Sequence, residues 1–382
     1  METAKKLISP RLLAEQSAYL ECIYHPYQLP FIVEVKSRLQ DGRYRLKNYD
    51  CPCGGKKEDI IISEVDRYGL PLNSVVCMRC GTVRTDPYLD ESSLEDFYTN
   101  FYQQMYGRAM ELDSYFLRQK SYGEKVLSVS QGFLKPESWV FEVGCGAGGA
   151  LKVFQEQGYR VAGCDYSNEL IDGGRQKRVE NIYCGSLNDV GNNLKIIKFD
   201  LIYLHHVFEH LNDPLLFLKN CRKYLGSSGK IIIVIPDINR IDEYRFPSGN
   251  LLLYLHIAHK YNFSFEGLQR LGRRAGYSVL RLKPEHKMKT PCSDSSELWV
   301  QMMIETDVSL VEKISKPKDK NVGVDMLRYL ERTEKLYSLG LCKGQVLTKI
   351  ELISVLMKRV LRKIKNLVIS KFCRLETPNI KT

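Results

Sequence analysis

The chain has 382 residues and a formal net charge of +11, of which residues 311–382 hold +10 through 17 Lys or Arg against 7 Asp or Glu. Residues 1–310 are left at +1, without the basic excess on which enzymes that grip phosphate backbones rely, so nucleic acid is not the expected substrate. No apolar run of about 18 residues could span a bilayer and no early one resembles a signal peptide, which predicts a cytoplasmic protein with reduced thiols.

The length exceeds one typical domain, and three regions are expected: residues 1–90, 91–308 and 309–382. The first is marked by two close cysteine pairs, Cys51-Pro52-Cys53-Gly54 and Cys77-Met78-Arg79-Cys80-Gly81. Tight turns ending in glycine present two sulfurs from one loop, and four thiolates suit a tetrahedral structural zinc, with Cys51, Cys53, Cys77 and Cys80 as ligands. The second pair has the common Cys-x-x-Cys-Gly spacing, whereas the first is tighter than usual. Disulfides are the competing reading, and a reducing compartment argues against them. Asp59 to Val65 and Ser74 to Cys77 read as strands around a Tyr68-Gly69-Leu70-Pro71 turn, which gives a zinc-ribbon-like module.

Phe97, Tyr98, Phe101, Tyr102 and Tyr106 recur at three- and four-residue steps and predict a helix with one aromatic face. Two readings stand: core packing, or a lid over a bound ligand.

Next, Val140 to Val143 reads as a buried strand that runs through Glu142 into Gly144-Cys145-Gly146-Ala147-Gly148-Gly149, the start of a helix. Glycines there let the backbone turn sharply and approach a ligand that a Cβ would block. A pyrophosphate-bearing dinucleotide would be repelled by Glu142 at that position, whereas a ligand with sulfonium and ammonium groups would be attracted. Tyr159 to Asp165 reads as the second strand, and Asp165 follows Gly144 at the distance from which an acidic side chain takes ribose hydroxyls.

These residues resemble class I S-adenosylmethionine-dependent methyltransferases, with Glu142 to Gly148 as the first motif and Asp165 as the second. The resemblance implies an α/β Rossmann-like fold with a seven-stranded sheet whose last two strands form an antiparallel hairpin. It also implies S-adenosylmethionine contacts from Glu142, Gly144, Cys145, Gly146, Gly148, Asp165, Tyr166, Ser186, Leu187 and His205. At Ser186 many relatives carry an acidic residue that meets the adenine amino group, and a hydroxyl accepts that bond more weakly. The cysteine module, the Thr85-Asp86-Pro87-Tyr88 turn and the aromatic helix resemble a group of sugar and polysaccharide-pathway methyltransferases. This implies a small sugar-containing substrate.

Phe199 to Leu204 predicts a fourth strand, and Leu204-His205-His206-Val207-Phe208-Glu209-His210 places three histidines and a glutamate at its mouth. His205, His206, Glu209 and His210 are the candidate catalytic residues, with His206 and His210 the preferred pair for removing a proton. Structural roles compete: a histidine at a strand end can bond backbone carbonyls, and Glu209 with His210 can cap the loop or hold a metal. Asp213-Pro214 should cap a helix to Leu225, Gly226 to Gly229 should turn, and Lys230 to Pro236 should be a buried strand. Ser264 to Ala275 predicts a helix, and Tyr277 to Lys283 and Glu297 to Glu305 the last strands.

In the tail, Val346, Ile350, Ile353, Met357, Val360, Ile364 and Leu367 form a heptad seam beside Lys358, Arg359, Arg362, Lys363 and Lys365, reached through a basic linker at Lys313 to Lys320. Packing on the protein's own domain, self-association and peripheral membrane contact are the three readings. The leading expectation is methyl transfer to a carbohydrate or nucleotide-sugar at C or O. A non-sugar O-methyltransferase and a catalytically silent cofactor-fold binding module are the alternatives.

Overall fold

A computed structural model describes residues 4–13, 26–55, 59–106, 111–194, 198–243, 249–283, 297–305 and 321–339. The N-terminal region contributes β1 (Ala4–Lys5), α1 (Leu29–Gln40), β2 (Leu46–Lys47), β3 (Asp59–Ser63), β4 (Ser74–Cys77), β5 (Val83–Thr85) and β6 (Tyr88–Leu89). Then come α2 (Glu91–Asn100), α3 (Tyr102–Tyr106), α4 (Leu112–Ser130), β7 (Trp139–Val143), α5 (Gly149–Glu156), β8 (Arg160–Asp165), α6 (Asn168–Gln176) and β9 (Ile182–Cys184). The chain continues with α7 (Leu187–Asn193), β10 (Phe199–His205), α8 (Pro214–Tyr224), β11 (Leu225–Pro236), β12 (Tyr261–Asn262), α9 (Phe265–Arg274), β13 (Tyr277–Arg281), β14 (Glu297–Ile304) and α10 (Val322–Ser338).

Seven strands form the central sheet in the order β9-β8-β7-β10-β11-β14-β13. The first five are parallel, β14 runs antiparallel to β11, and β13 pairs antiparallel with β14, as expected of the last two strands. Parallel strands buried on both faces need apolar side chains on both, and alternate residues divide between two cores. Val140, Val161 and Leu201 face α4, α5 and α6, through Phe116, Leu151 and Ile171. Phe141, Ala162 and Ile202 face the other way, toward Val190, Leu218 and Leu271 on α7, α8 and α9.

Local signals place several elements as read. Asp213 accepts a hydrogen bond from the Leu216 N–H with Pro214 at the first helical position of α8, and Ser264 caps α9 by accepting from the Gly267 N–H at 2.9 Å. Two expectations are corrected. Residues 226–229 do not separate a helix from a later strand: β11 starts at Leu225, which pairs with Phe199, and the register then jumps so that Lys230 pairs with Leu201. Residues 226–229 stand opposite Asp200 alone, so three extra residues bulge out while the ladder continues. The aromatic helix is also two helices, because Phe101 leaves helical geometry (φ −128°, ψ −29°). Its ring turns toward Tyr44, at 6.4 Å, and the Arg38 guanidinium, at 4.7 Å.

A second sheet has the order β1-β3-β4-β5-β12, and its last strand comes from between the fifth strand and α9 of the central region. There Tyr261 pairs with Arg84, and Asn262 with Val83. α10 packs on β4 and on residues 238–243. At its start a Cβ on Gly323 would stand 2.2 Å from Met78 Cα, so only glycine allows that backbone contact. Lys313 to Lys320 and the heptad seam from Val346 to Leu367 lie outside the described residues. Among the described residues, no helix is long and apolar enough to cross a membrane.

Candidate functional site

The glycine turn lies at the carboxyl ends of the parallel strands, where such sheets open their ligand crevice. Gly144 (φ 70°) and Gly146 (φ 53°) occupy the left-handed region, and the Gly144 and Cys145 N–H groups both donate to Cys164 O, at 2.8 and 2.9 Å. A Cβ on Gly144 would stand 2.4 Å from a Val207 methyl, so the glycine loop and the mouth of β10 are in direct contact. On the other side α4 closes over the loop: Gln119 Nε2 donates to Cys145 O at 2.7 Å, and the Gly149 N–H donates to Gln119 Oε1 at 3.3 Å.

Glu142 is 3% exposed, and its Oε2 has no hydrogen-bond partner among the described residues. Burial, reinforced by Asp165, holds its carboxyl well above the ordinary range. Asp165 is raised as well, again mainly by burial, although its oxygens accept from the Gly146 and Ser167 N–H groups, each at 2.9 Å. Two acidic side chains thus face one crevice, with one buried oxygen of Glu142 lacking a donor among the described residues.

The other residues read from the sequence divide. Tyr166 is exposed beside Asp165, whereas Cys145 is buried, its thiol pushed up by burial. Ser186 caps α7: its hydroxyl donates to Asp189 Oδ2 at 2.7 Å in a capping box, and the helix holds it there. Leu187 packs into the core beneath the sheet.

At the mouth of β10, His205, His206, Glu209 and His210 come together and are joined by Glu297, His256 and His259. Five of the chain's seven histidines therefore gather at one mouth. His206 sits in the left-handed region (φ 54°), which is costly for a β-carbon residue and turns its ring between two carboxylates. Its Nε2 is hydrogen-bonded to Glu297 Oε1 at 3.1 Å, and its Nδ1 stands 3.5 Å from Glu209 Oε1. Burial opposes its charge, but those carboxylates win and raise it to about 10. His205 stacks on Tyr122 with centroids 4.2 Å apart, and its Nε2 stands 3.5 Å from Glu297 Oε1. Burial lowers its basicity. His210 and His259 are likewise lowered by burial, and Tyr98 Oη lies 3.3 Å from His210 Nδ1.

The aromatic segment packs as core, with Tyr98, Tyr102 and Tyr106 partly buried against the same cluster. Phe97, Phe101 and Met105 are core. Tyr98, Tyr102 and Tyr106 form a row, with centroids 5.0 and 5.3 Å apart, that continues through His256 at 5.1 Å. Burial holds the Tyr102 hydroxyl up at about 12, helped by Glu209 and Asp165, and its ring lies edge-on to that of His210 with centroids 6.1 Å apart.

The four cysteines converge at the far end of β4 and β5. All are buried and unpaired covalently, with Cys51–Cys80 and Cys53–Cys77 Sγ distances of 3.7 Å, and the four sulfurs lie within 4.8 Å of one another. The region also holds the histidine segment through hydrogen bonds. The Arg67 N–H donates to Leu255 O at 2.7 Å, Tyr88 Oη to Ile257 O at 2.7 Å, and the Thr85 N–H to Lys260 O at 3.0 Å. Glu297, His256, His259, Tyr115 and Gln119 were not singled out in the sequence. The one local signal was His256-Ile257-Ala258-His259, two histidines three residues apart.

Comparison with known proteins agrees with this geometry. Residues 117–282 match the family model described as a methyltransferase domain. The ubiquinone biosynthesis O-methyltransferase of Coxiella burnetii (strain RSA 493 / Nine Mile phase I) is 29% identical over 97 residues, 24% of this chain and 41% of that protein. Its Haemophilus ducreyi counterpart is 28% identical over 111 residues, covering 26% and 45%. The chain thus spans less than half the length of these curated relatives. Among solved structures, the plantazolicin methyltransferase BpumL in complex with SAH is 16% identical, with a TM-score of 0.42 over 56% of this chain and 94% of that one. An S-adenosylmethionine-dependent methyltransferase from Clostridium acetobutylicum ATCC 824 is 10% identical, with a TM-score of 0.37 over 55% and 99%. By its sheet order, its glycine turn and the match of residues 117–282 to the methyltransferase-domain model, this chain has an α/β fold of the methyltransferase type.

Proposed function

We propose that the protein transfers a methyl group from S-adenosylmethionine to an oxygen of a small hydroxylated acceptor, in the first instance a carbohydrate or nucleotide sugar. The carrying observation is the continuity of the site: Val207, in the histidine-bearing mouth, touches Gly144, and Tyr102 lies edge-on to His210 with centroids 6.1 Å apart. S-adenosylmethionine, when bound, supplies the methyl group on a sulfonium leaving group. Asp165 would bind ribose hydroxyls, and buried Glu142 would favour the cationic end. Alignment supplies much of the rate in such a displacement, and a nearby base removes the acceptor's proton. His205 suits that role, since burial keeps it unprotonated and Glu297 stands 3.5 Å from its Nε2 to stabilise the imidazolium that forms.

Tyrosine rings beside these histidines suit the face of a sugar and equally an aromatic acceptor. The second reading, a non-sugar hydroxyl, is favoured by the names of the Coxiella and Haemophilus relatives. For the cysteines, a structural zinc fits: four sulfurs about 2.3 Å from one ion stand about 3.8 Å apart, close to the 3.7 Å of both pairs. It would hold the strands that carry the histidine segment. Calorimetry with S-adenosylhomocysteine, followed by a mass-shift screen of sugars and phenols with labelled S-adenosylmethionine, tests the reading. A chain that binds no S-adenosylhomocysteine is not an enzyme of this kind, and label only on phenols replaces the first acceptor class with the second.

A further inference from the structure

Glu209 is 1% exposed, yet no donor reaches hydrogen-bonding geometry with either carboxylate oxygen among the described residues. A carboxylate taken out of water and left in that state is costly, so its surroundings require a partner. His206 Nδ1 stands 3.5 Å from Oε1 and is shared with Glu297 through the other ring nitrogen, and beyond it lie two more imidazoles from separate segments. His210 follows Glu209 directly, and His259 arrives from the loop that the cysteine region holds, with its Nε2 3.8 Å from Glu209 Oε1. One donor atom from each of Glu209, His210 and His259 lies within 4.8 Å of the others. The spacing is too long for direct hydrogen bonds and suits three ligands around one ion at about 2.1 Å each.

We propose that Glu209, His210 and His259 bind a divalent first-row transition cation beside the methyl-transfer site, a reading that rests on the proposed function only for what the ion would do there. Two imidazoles and one carboxylate favour such a metal over calcium or magnesium, which prefer all-oxygen sites. Three protein ligands leave coordination positions open for oxygens of the methyl acceptor. Supporting groups are present, as is usual around histidine ligands: Tyr98 Oη lies 3.3 Å from His210 Nδ1, and His259 lies against His256 with centroids 3.7 Å apart and the rings tilted by 42°. The second group, His205 and His206 with Glu297, adjoins this one through His206, whose Nε2 holds Glu297 at 3.1 Å while its Nδ1 stands 3.5 Å from Glu209 Oε1.

The test uses the full chain with its cysteine site left loaded and Co2+ as the probe. Absorption separates the two environments, since cobalt on thiolates shows ligand-to-metal charge transfer and cobalt on imidazole and carboxylate shows ligand-field bands alone. One equivalent bound with ligand-field bands only is expected, weakened at least about tenfold in His259→Ala and retained in His205→Ala. Should His259→Ala fold poorly by circular dichroism, His259→Gln and Glu209→Gln take its place. Absence of binding, cobalt seen only on thiolates, equal binding by the His259 variants, or loss in His205→Ala instead would each overturn the site. S-adenosylhomocysteine calorimetry on the same samples keeps the questions apart: affinity for it without cobalt binding removes the metal site alone. Cobalt binding without that affinity removes the methyltransferase reading alone.

Discussion

Asp66 Oδ2 accepts a hydrogen bond from the Ile257 N–H at 3.1 Å, so a side chain of the cysteine-bearing region fixes the backbone beside His256. Its other oxygen accepts from the Tyr68 and Leu70 N–H groups, at 2.8 and 3.0 Å. One buried carboxylate thus joins the Gly69 turn to the histidine segment.

That carboxylate gives a pH-dependent prediction. Burial raises Asp66 to about 6 against an unfolded value of about 3.9, despite three N–H donors that pull the other way. A raised value means that its contribution to stability is complete below about pH 4 and is lost as pH rises through about 6. Between pH 4.5 and 7.5 the wild type should lose about 2 kcal/mol relative to Asp66→Asn, read from urea unfolding at both values. A difference that stays constant with pH would show that Asp66 does not titrate in this window.

Asp165 anchors the second prediction. Asp165→Ala should lower S-adenosylhomocysteine affinity about 10–100-fold, the loss expected for hydrogen bonds to a charged group, with little change in melting temperature. Unchanged affinity in calorimetry would move the ribose contact elsewhere.

At the glycine turn, Gly146→Ala should destabilise the fold by about 1–3 kcal/mol, because φ is 53° and the new Cβ would stand 2.5 Å from Tyr115 Oη. Chemical denaturation measures it. A loss below about 0.5 kcal/mol would mean that α4 moves aside freely.

Glu297→Gln should leave S-adenosylhomocysteine affinity intact and lower kcat about 100-fold, in the range associated with general acid–base groups. The pH–rate profile should change with it, because Glu297 touches both His205 and His206. A variant with normal turnover would assign Glu297 to structure alone.

If the four cysteines hold zinc as proposed, a chelator strong enough to remove it, or Cys80→Ser, should lower thermal stability and raise hydrogen exchange at residues 255–262 and in α9. Ser264 Oγ donates to Cys80 O, so the disturbance has a direct route to that helix. Exchange confined to residues 51–81 would disconnect the two regions.

Features with local causes were legible in the sequence. Glycine spacing after an apolar run gave β7, the turn and α5, a carboxylate at the right interval gave Asp165, and Asp213-Pro214 gave α8. What escaped depends on distant partners. The bulge at residues 226–229 follows from a ladder with Phe199, and the break at Phe101 from Tyr44 and Arg38. Glu297 looked only like the start of a strand, since nothing near it in sequence betrays the two histidines it meets. His256 and His259 sat in a segment without clear periodicity, and the short β12 that follows them exists only because β5 receives it.

The pairing of β5 with β12 also orders events during synthesis. Val83 leaves the ribosome long before Asn262, so the edge of the cysteine-bearing sheet waits unpaired while the whole glycine crevice is made and folded. Closing so long a loop is slow compared with forming local helices. The segment that carries His256 and His259 is therefore held late, once β12 reaches β5, and Glu297 on β14 joins the histidine mouth later still.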